Sequence, residues 1–210
     1  MVMDSGAHWV DTMRYWFGEV ESVYARVEQV EKRPHRKGKR VVEDAREDFW
    51  TSIFNFESGL VGTWSWTISA PCANVAQLTL TGSKGTIADS DIFHPAAFQA
   101  NGECRLLDGT TYSMGKLQEF FLESLSQRRR EQLFPYGIMG GVTLELWDFI
   151  DALSRGRAVE IDVEEGLRSK AVSEAIYESG KARVVVKVAD VLKGKVDAYQ
   201  RDVDRMWKLV

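Results

Sequence analysis

Asp48-Phe49-Trp50-Thr51-Ser52-Ile53-Phe54-Asn55-Phe56, then Glu57-Ser58-Gly59, then Leu60-Val61-Gly62-Thr63-Trp64-Ser65-Trp66-Thr67-Ile68-Ser69 reads as two alternating strands around a hairpin turn. Side chains in a strand alternate between faces, so Trp50, Phe54 and Phe56 share one side of the first strand. In the second strand Trp64, Trp66 and Ile68 share a side, and Thr63, Ser65, Thr67 and Ser69 take the other. The aromatic side is core if helices cover it. Phe49, Thr51, Ile53 and Asn55 then form a mixed outer face suited to sheet-on-sheet association between subunits.

The same pattern spreads outward. Glu19 to Val30 alternates imperfectly, with Val23, Ala25 and Val27 in register and Val20 and Val30 out of it. Lys32 to Arg40 reads as a basic loop. Its charge is largely cancelled by Glu43, Asp44, Glu47 and Asp48, so it is read as solvated, His35 with it. Val75–Thr81 and Thr86–Asp89 pair around Gly82-Ser83-Lys84-Gly85, and Glu103–Leu107 pairs with Thr110–Met114 across Asp108-Gly109. His94, beside Pro95, is read as a surface-loop residue. Helical spacing returns at Leu117–Arg129, which Arg128-Arg129-Arg130 would close with charge suited to the helix dipole. It recurs at Val142–Leu153, where Leu146, Phe149, Ile150 and Leu153 line one face and Gly156 ends the helix, and at Glu164–Gly180, with Leu167, Ala171, Val172, Ala175 and Ile176 on its stripe. Val184–Val188 is a closing strand, and residues 189–210 a helical extension interrupted by Gly194. Helix, consecutive antiparallel strands, then helices is an α+β layout: a large, mostly antiparallel open sheet with helices packed on one face.

The chemically pointed stretch is Asp4-Ser5-Gly6-Ala7-His8-Trp9-Val10-Asp11, opening a helix that Gly18 stops. Asp4, His8, Asp11 and Tyr15 fall on one face at 3.6 residues per turn, with Val10, Met13 and Phe17 behind them. Asp4 also fits an N-cap. A carboxylate beside an imidazole suits proton transfer. Net charge is −4, which draws the chain to neither nucleic acid nor an anionic membrane. No apolar run approaches a bilayer-spanning length. Cys72 and Cys104 lack the spacing of a zinc site, no metal is expected, and a reduced pair in a cytoplasmic protein is favoured.

The octapeptide, followed by Arg14-Tyr15-Trp16-Phe17-Gly18 and the strand at Val20, resembles the opening of the C-terminal domain of the Gfo/Idh/MocA oxidoreductases. These are relatives of glucose–fructose oxidoreductase and inositol dehydrogenase. Asn55–Gly62, Leu80–Thr86, Asp148–Ala152, Glu164–Leu167 and Ala175–Ser179 resemble further family segments in the same order. The resemblance covers about residues 4–188, leaving residues 189–210 outside, and implies a dihydrodipicolinate-reductase-like fold. It implies that His8 is the general acid/base on a substrate oxygen and that Asp4 orients its ring. Asp11 matches a recurrent acidic position. Asp11 and Tyr15 are inferred to bind substrate hydroxyls, and Trp9 is the best candidate to stack on a sugar ring.

In that family a Rossmann domain binds NAD or NADP, and a hydride passes between nicotinamide and a sugar, polyol or related hydroxy compound. This sequence holds no GxGxxG after a strand; Gly137-Ile138-Met139-Gly140-Gly141 has the wrong spacing and follows no strand. Glu31-Lys32-Arg33-Pro34 lies after the Asp/His helix, where the family's Glu-Lys-Pro segment does not. The expectation is a C-terminal piece of a longer enzyme: a substrate-binding and dimerisation domain that binds no cofactor alone and is inactive alone. The rival is a non-catalytic oligomerisation or ligand-binding module derived from the same family.

Overall fold

The computed structural model describes residues 2–3, 6–44, 47–69, 77–89 and 102–209. The chain divides into two compact units, residues 1–71 with 161–210, and residues 72–160.

The first unit opens with α1 (Gly6–Phe17), which ends where Gly18 adopts φ +84° and donates its amide to the Arg14 carbonyl. Strand β1 (Val20–Glu28) follows. Its ladder to β4 (Phe49–Phe56) shifts register between Val20 and Ser22. This irregularity is why Val20 falls out of the alternation: Val20, Ser22, Val23 and Ala25 are all buried. The outer edge of β4 carries β5 (Val61–Thr67), through the expected turn with Gly59 at φ +84°. Strand β10 (Val186–Lys187) closes the other side of β1, giving the antiparallel order β10-β1-β4-β5. Asp48, buried at the mouth of β4, accepts from the amides of Val30 and Glu31 and from the Ser69 hydroxyl, which ties three chain segments together.

The segment expected as a basic loop is a hairpin of β2 (Arg33–Lys37) and β3 (Arg40–Asp44). Gly38 at φ +65° makes the tight turn. Pro34 is tolerated because a two-stranded ribbon has a free edge along each strand.

Helices cover one face of the four-stranded sheet. Trp50, Phe54 and Phe56 point into it; Trp50 stacks on Trp66 at 4.4 Å and meets Trp64 edge-on at 5.3 Å. Helix α5 (Val163–Ala182) lies on β1, with Ala171, Val172, Ala175 and Ile176 buried as their spacing required. Leu167, expected on that stripe, is exposed, because it lies in the early turns of α5, before the buried stretch begins. The closing strand is shorter than Val184–Val188, since helix α6 (Val188–Leu192) begins at once. The tail ends in α7 (Gln200–Trp207).

The second unit is a four-stranded antiparallel meander in the order β6-β7-β8-β9, formed by Leu78–Gly82, Gly85–Asp89, Gly102–Leu106 and Thr111–Ser113. The helix expected over Leu117–Arg129 is two. Helix α2 (Met114–Ser124) stops, and Ser126 caps α3 (Gln127–Leu133) by accepting the Arg129 amide. The arginine triplet therefore opens a helix instead of closing one. Arg130 nonetheless donates to the Leu122 carbonyl at the end of α2, an acceptor it shares with the Leu125 amide. Helix α4 (Gly141–Arg155) ends at Gly156 with φ +63°, and its stripe of Leu146, Phe149, Ile150 and Leu153 is exposed.

At Gly180 the backbone of α5 touches β1. An added Cβ would sit 2.7 Å from Val27 Cγ2 and 2.9 Å from its Cβ. Alanine is the better helix former by about 1 kcal/mol, but overpacking costs about 1–3 kcal/mol. Gly180→Ala should therefore lower unfolding free energy by about 1 kcal/mol, and by no more than about 2, in urea titration. An unchanged or raised midpoint would show that the helix can lift from the strand.

Candidate functional site

The candidate site is the exposed flank of α1. Val10 is fully buried and Met13 and Phe17 pack on the core, so the helix rests on one side and presents the other. His8 is exposed and Tyr15 is 81% exposed; Asp11 and Trp9 are half-buried. The four-residue periodicity thus does bring His8, Asp11 and Tyr15 to one flank. Asp4 lies outside the described residues. The His8 carbonyl accepts from the Thr12 hydroxyl at 2.8 Å, which leaves the backbone of this turn helical.

Arg14, only 7% exposed, holds this flank in place, although as a single arginine in an aromatic helix it carries no motif. Its guanidinium donates to both Glu19 carboxylate oxygens at 2.7 and 3.1 Å. It also donates to Glu165 Oε2 at 2.9 Å, to the Glu165 carbonyl at 3.2 Å and to Ser169 Oγ at 2.7 Å. Ser169 in turn donates to Asp11 Oδ1 at 2.9 Å. Arg168 lies 3.8 Å from Glu19 and 3.9 Å from Glu165. The planar fork satisfies several acceptors at once, which lysine cannot do.

Asp11 is therefore bonded into the joint between α1 and α5, whatever else it binds. The one signal for this joint in the sequence is Arg14 three residues after Asp11, with Glu19 just past the helix stop. Glu165 and Ser169 are about 150 residues further on, and no local pattern links them. The hydrogen bond to Arg14 holds the Glu19 carboxyl below the ordinary glutamate range, and the bond to Glu19 raises the Arg14 guanidinium.

Every described ladder is antiparallel, so the described residues contain no strand–helix–parallel-strand unit of the kind that cradles a dinucleotide. Among them, too, no helix is long and apolar enough to cross a membrane.

A family model described as "Oxidoreductase family, C-terminal alpha/beta domain" matches residues 1–188. The chain belongs to the Gfo/Idh/MocA oxidoreductase family. Solved structures of the same fold include an oxidoreductase from Agrobacterium radiobacter in complex with NAD+, L-tartaric acid and magnesium. It is 20% identical with a TM-score of 0.59, over 90% of this chain and 49% of that one. The WlbA dehydrogenase from Bordetella pertussis, in complex with NADH and UDP-GlcNAcA, is 24% identical with a TM-score of 0.61, over 89% of this chain and 47% of that one. Levoglucosan dehydrogenase in complex with NADH and levoglucosan is 22% identical with a TM-score of 0.60, over 88% and 49%. This Gfo/Idh/MocA chain spans about half the length of these proteins. No curated protein matches it significantly.

Arg14→Ala strips five hydrogen bonds from the joint of this Gfo/Idh/MocA domain and should cost about 2 kcal/mol of stability, with Arg14→Lys intermediate. The Glu19 carboxyl is depressed in the folded state. Its contribution is thus present above its ordinary value of 4.5 and is lost as pH falls through the depressed value. Thermal unfolding from pH 6 to pH 3 should therefore fall more steeply in the wild type than in Arg14→Ala. Parallel curves would remove Glu19 from the joint.

Proposed function

We propose that this chain is the substrate-binding and dimerisation half of an NAD(P)-dependent oxidoreductase acting on a sugar, polyol or related hydroxy compound. The observation that carries the reading is the α1 flank. A helix anchored by Arg14 and its apolar stripe presents His8 and Tyr15 outward, at the start of a domain that the family model covers. His8 takes a proton from the substrate hydroxyl as a carbinol becomes a carbonyl, and returns it in the reverse direction. Asp4 orients the ring and stabilises its protonated form. Tyr15 and Asp11 bind neighbouring hydroxyls, and Trp9 offers its ring to the sugar face. Asp11 does so while one of its oxygens stays bonded to Ser169.

The redox cofactor belongs to a Rossmann domain outside this chain, because the antiparallel sheets described here do not fit it. The NADH complexes of the WlbA and levoglucosan dehydrogenases, with UDP-GlcNAcA and levoglucosan respectively, support both the cofactor class and a carbohydrate-like substrate. By this reading the chain alone binds no NAD(P) and turns nothing over.

The same reading assigns the outer sheet face to a second copy. Tyr24, Ile53 and Val61 are exposed apolar residues on it, set among threonines and serines, and Thr51 and Ser65 hydroxyls bond to each other across the strands at 2.8 Å. A face of this mixed character suits sheet-on-sheet pairing.

In an enzyme that carries both halves, His8→Ala should lower turnover by roughly 10²–10⁴-fold and leave NAD(P) affinity within about twofold. Wild-type turnover in that variant would defeat the proton-transfer role. Light scattering should find the chain dimeric, and Ile53→Lys with Val61→Glu should make it monomeric without loss of secondary structure by circular dichroism. A dimer that survives both charges would place the interface elsewhere.

A further inference from the structure

Residues 189–210 lie beyond the family match, and their described part returns to helix α5. After α6 the chain turns at Gly194, φ +62°, and brings the start of α7 onto Glu178. Glu178 is 1% exposed, and its two carboxylate oxygens accept the amides of Tyr199 at 3.0 Å and Gln200 at 2.9 Å. Helix α7 thus has its first amides satisfied by a side chain of another helix, since its own N-cap residue makes no such bond. The Tyr199 ring stacks on Tyr177 at 4.7 Å, and Lys181 donates to Asp202 at 2.7 Å. Val196 and Tyr199 pack against the core.

One turn before this latch stands Glu174. Its Oε1 is enclosed and meets no hydrogen-bond partner among the described residues. The charged groups around it are Glu178 and Lys170 on α5 and Asp204 on α7; Tyr177, Tyr199 and Glu47 belong to the same cluster. Lys170 donates to the Met3 carbonyl at 2.9 Å. Docking of α7 therefore adds a carboxylate, Asp204, beside a half-buried one whose Oε1 is already enclosed and without a partner among the described residues. A half-buried acid with one enclosed, unpartnered oxygen is better tolerated neutral than charged.

We propose that residues 196–207 form a proton-controlled strap, held on α5 while Glu174 carries its proton and released when Glu174 ionises. Glu178 is the latch and Glu174 the trigger. Burial, then the Glu178 charge, raises the Glu174 carboxyl above its ordinary value of 4.5, against the opposing pull of Lys170. The sign follows. A raised acid in the docked state favours docking fully below 4.5, and that contribution is lost as pH rises through the raised value. The device is independent of the substrate-site reading, since none of its residues lies on α1.

Hydrogen exchange of the full 210-residue chain, corrected for intrinsic exchange rate, tests it between pH 4.5 and 8 at the amides of residues 199–207. In the wild type their protection should fall by roughly tenfold or more as pH rises, with β4 and β5 unchanged. Glu174→Gln should stay protected throughout, and Asp204→Asn should show a smaller fall. Glu178→Ala should be unprotected at every pH. Wild-type protection that does not change with pH, or a Glu174→Gln protein that follows the wild type, would overturn the proposal.

Discussion

Helix α5 lies against β1 closely enough that Gly180 has no room for a side chain, and the first unit is organised around that contact. Small residues make it possible. Ala171, Ser173, Ala175, Ser179 and Gly180 are buried along the helix, so the backbones approach and the larger Val172 and Ile176 reach into the sheet. Strand β10 pairs with β1 at only Ser22 and Val23. The Ala25 amide therefore finds its acceptor in Ser179 Oγ at 2.8 Å, and Ser179 donates onward to the Val184 carbonyl at 2.6 Å. A helix hydroxyl completes the edge of a sheet there, as the burial of that amide demands.

The same helix serves the two ends of the unit. Towards its N-terminus, Glu165 and Ser169 receive the Arg14 fork and so hold the helix that displays His8. Towards its C-terminus, Glu178 receives the amides at the start of α7. Ser169, Glu178 and Ser179 on α5 are thus buried for reasons that differ from turn to turn, each with a partner from a distant segment. This is why α5 is buried on almost every side between Ala171 and Gly180 and shows little amphipathic contrast.

Most of the fold was legible because it depends on local periods. The hairpin of Phe49–Thr67 alternates cleanly since one face meets helices and the other does not, and the register then sets Trp50 against Trp66 on the aromatic face. Positions misread were those where a local signal was ambiguous. Residues 33–44 carry Pro34, Gly38 and many charges, which in a chain without partners look like loop; in a two-stranded ribbon the same residues are compatible with pairing. Leu117–Arg129 has one helical period throughout, yet Ser126 can cap as well as continue, and the cap prevailed. In the site, His8, Asp11 and Tyr15 share a flank as 3.6 residues per turn requires, whereas the Arg14 joint was only hinted at by its spacing from Asp11 and Glu19, because its other acceptors, Glu165 and Ser169, lie far along the chain.

By itself the sequence determined the antiparallel α+β character, the family membership written in ordered short motifs, and the presentation of His8 from a helix with an apolar back. These follow from periodicity and turn chemistry, which act over a few residues. Only the tertiary structure decided that Asp11 is bonded into the α1–α5 joint, that Ser179 finishes a strand, and that Glu178 holds the tail. Each of those depends on a polar group losing water at the moment two distant segments meet, and the identity of its partner is set by packing, not by spacing along the chain.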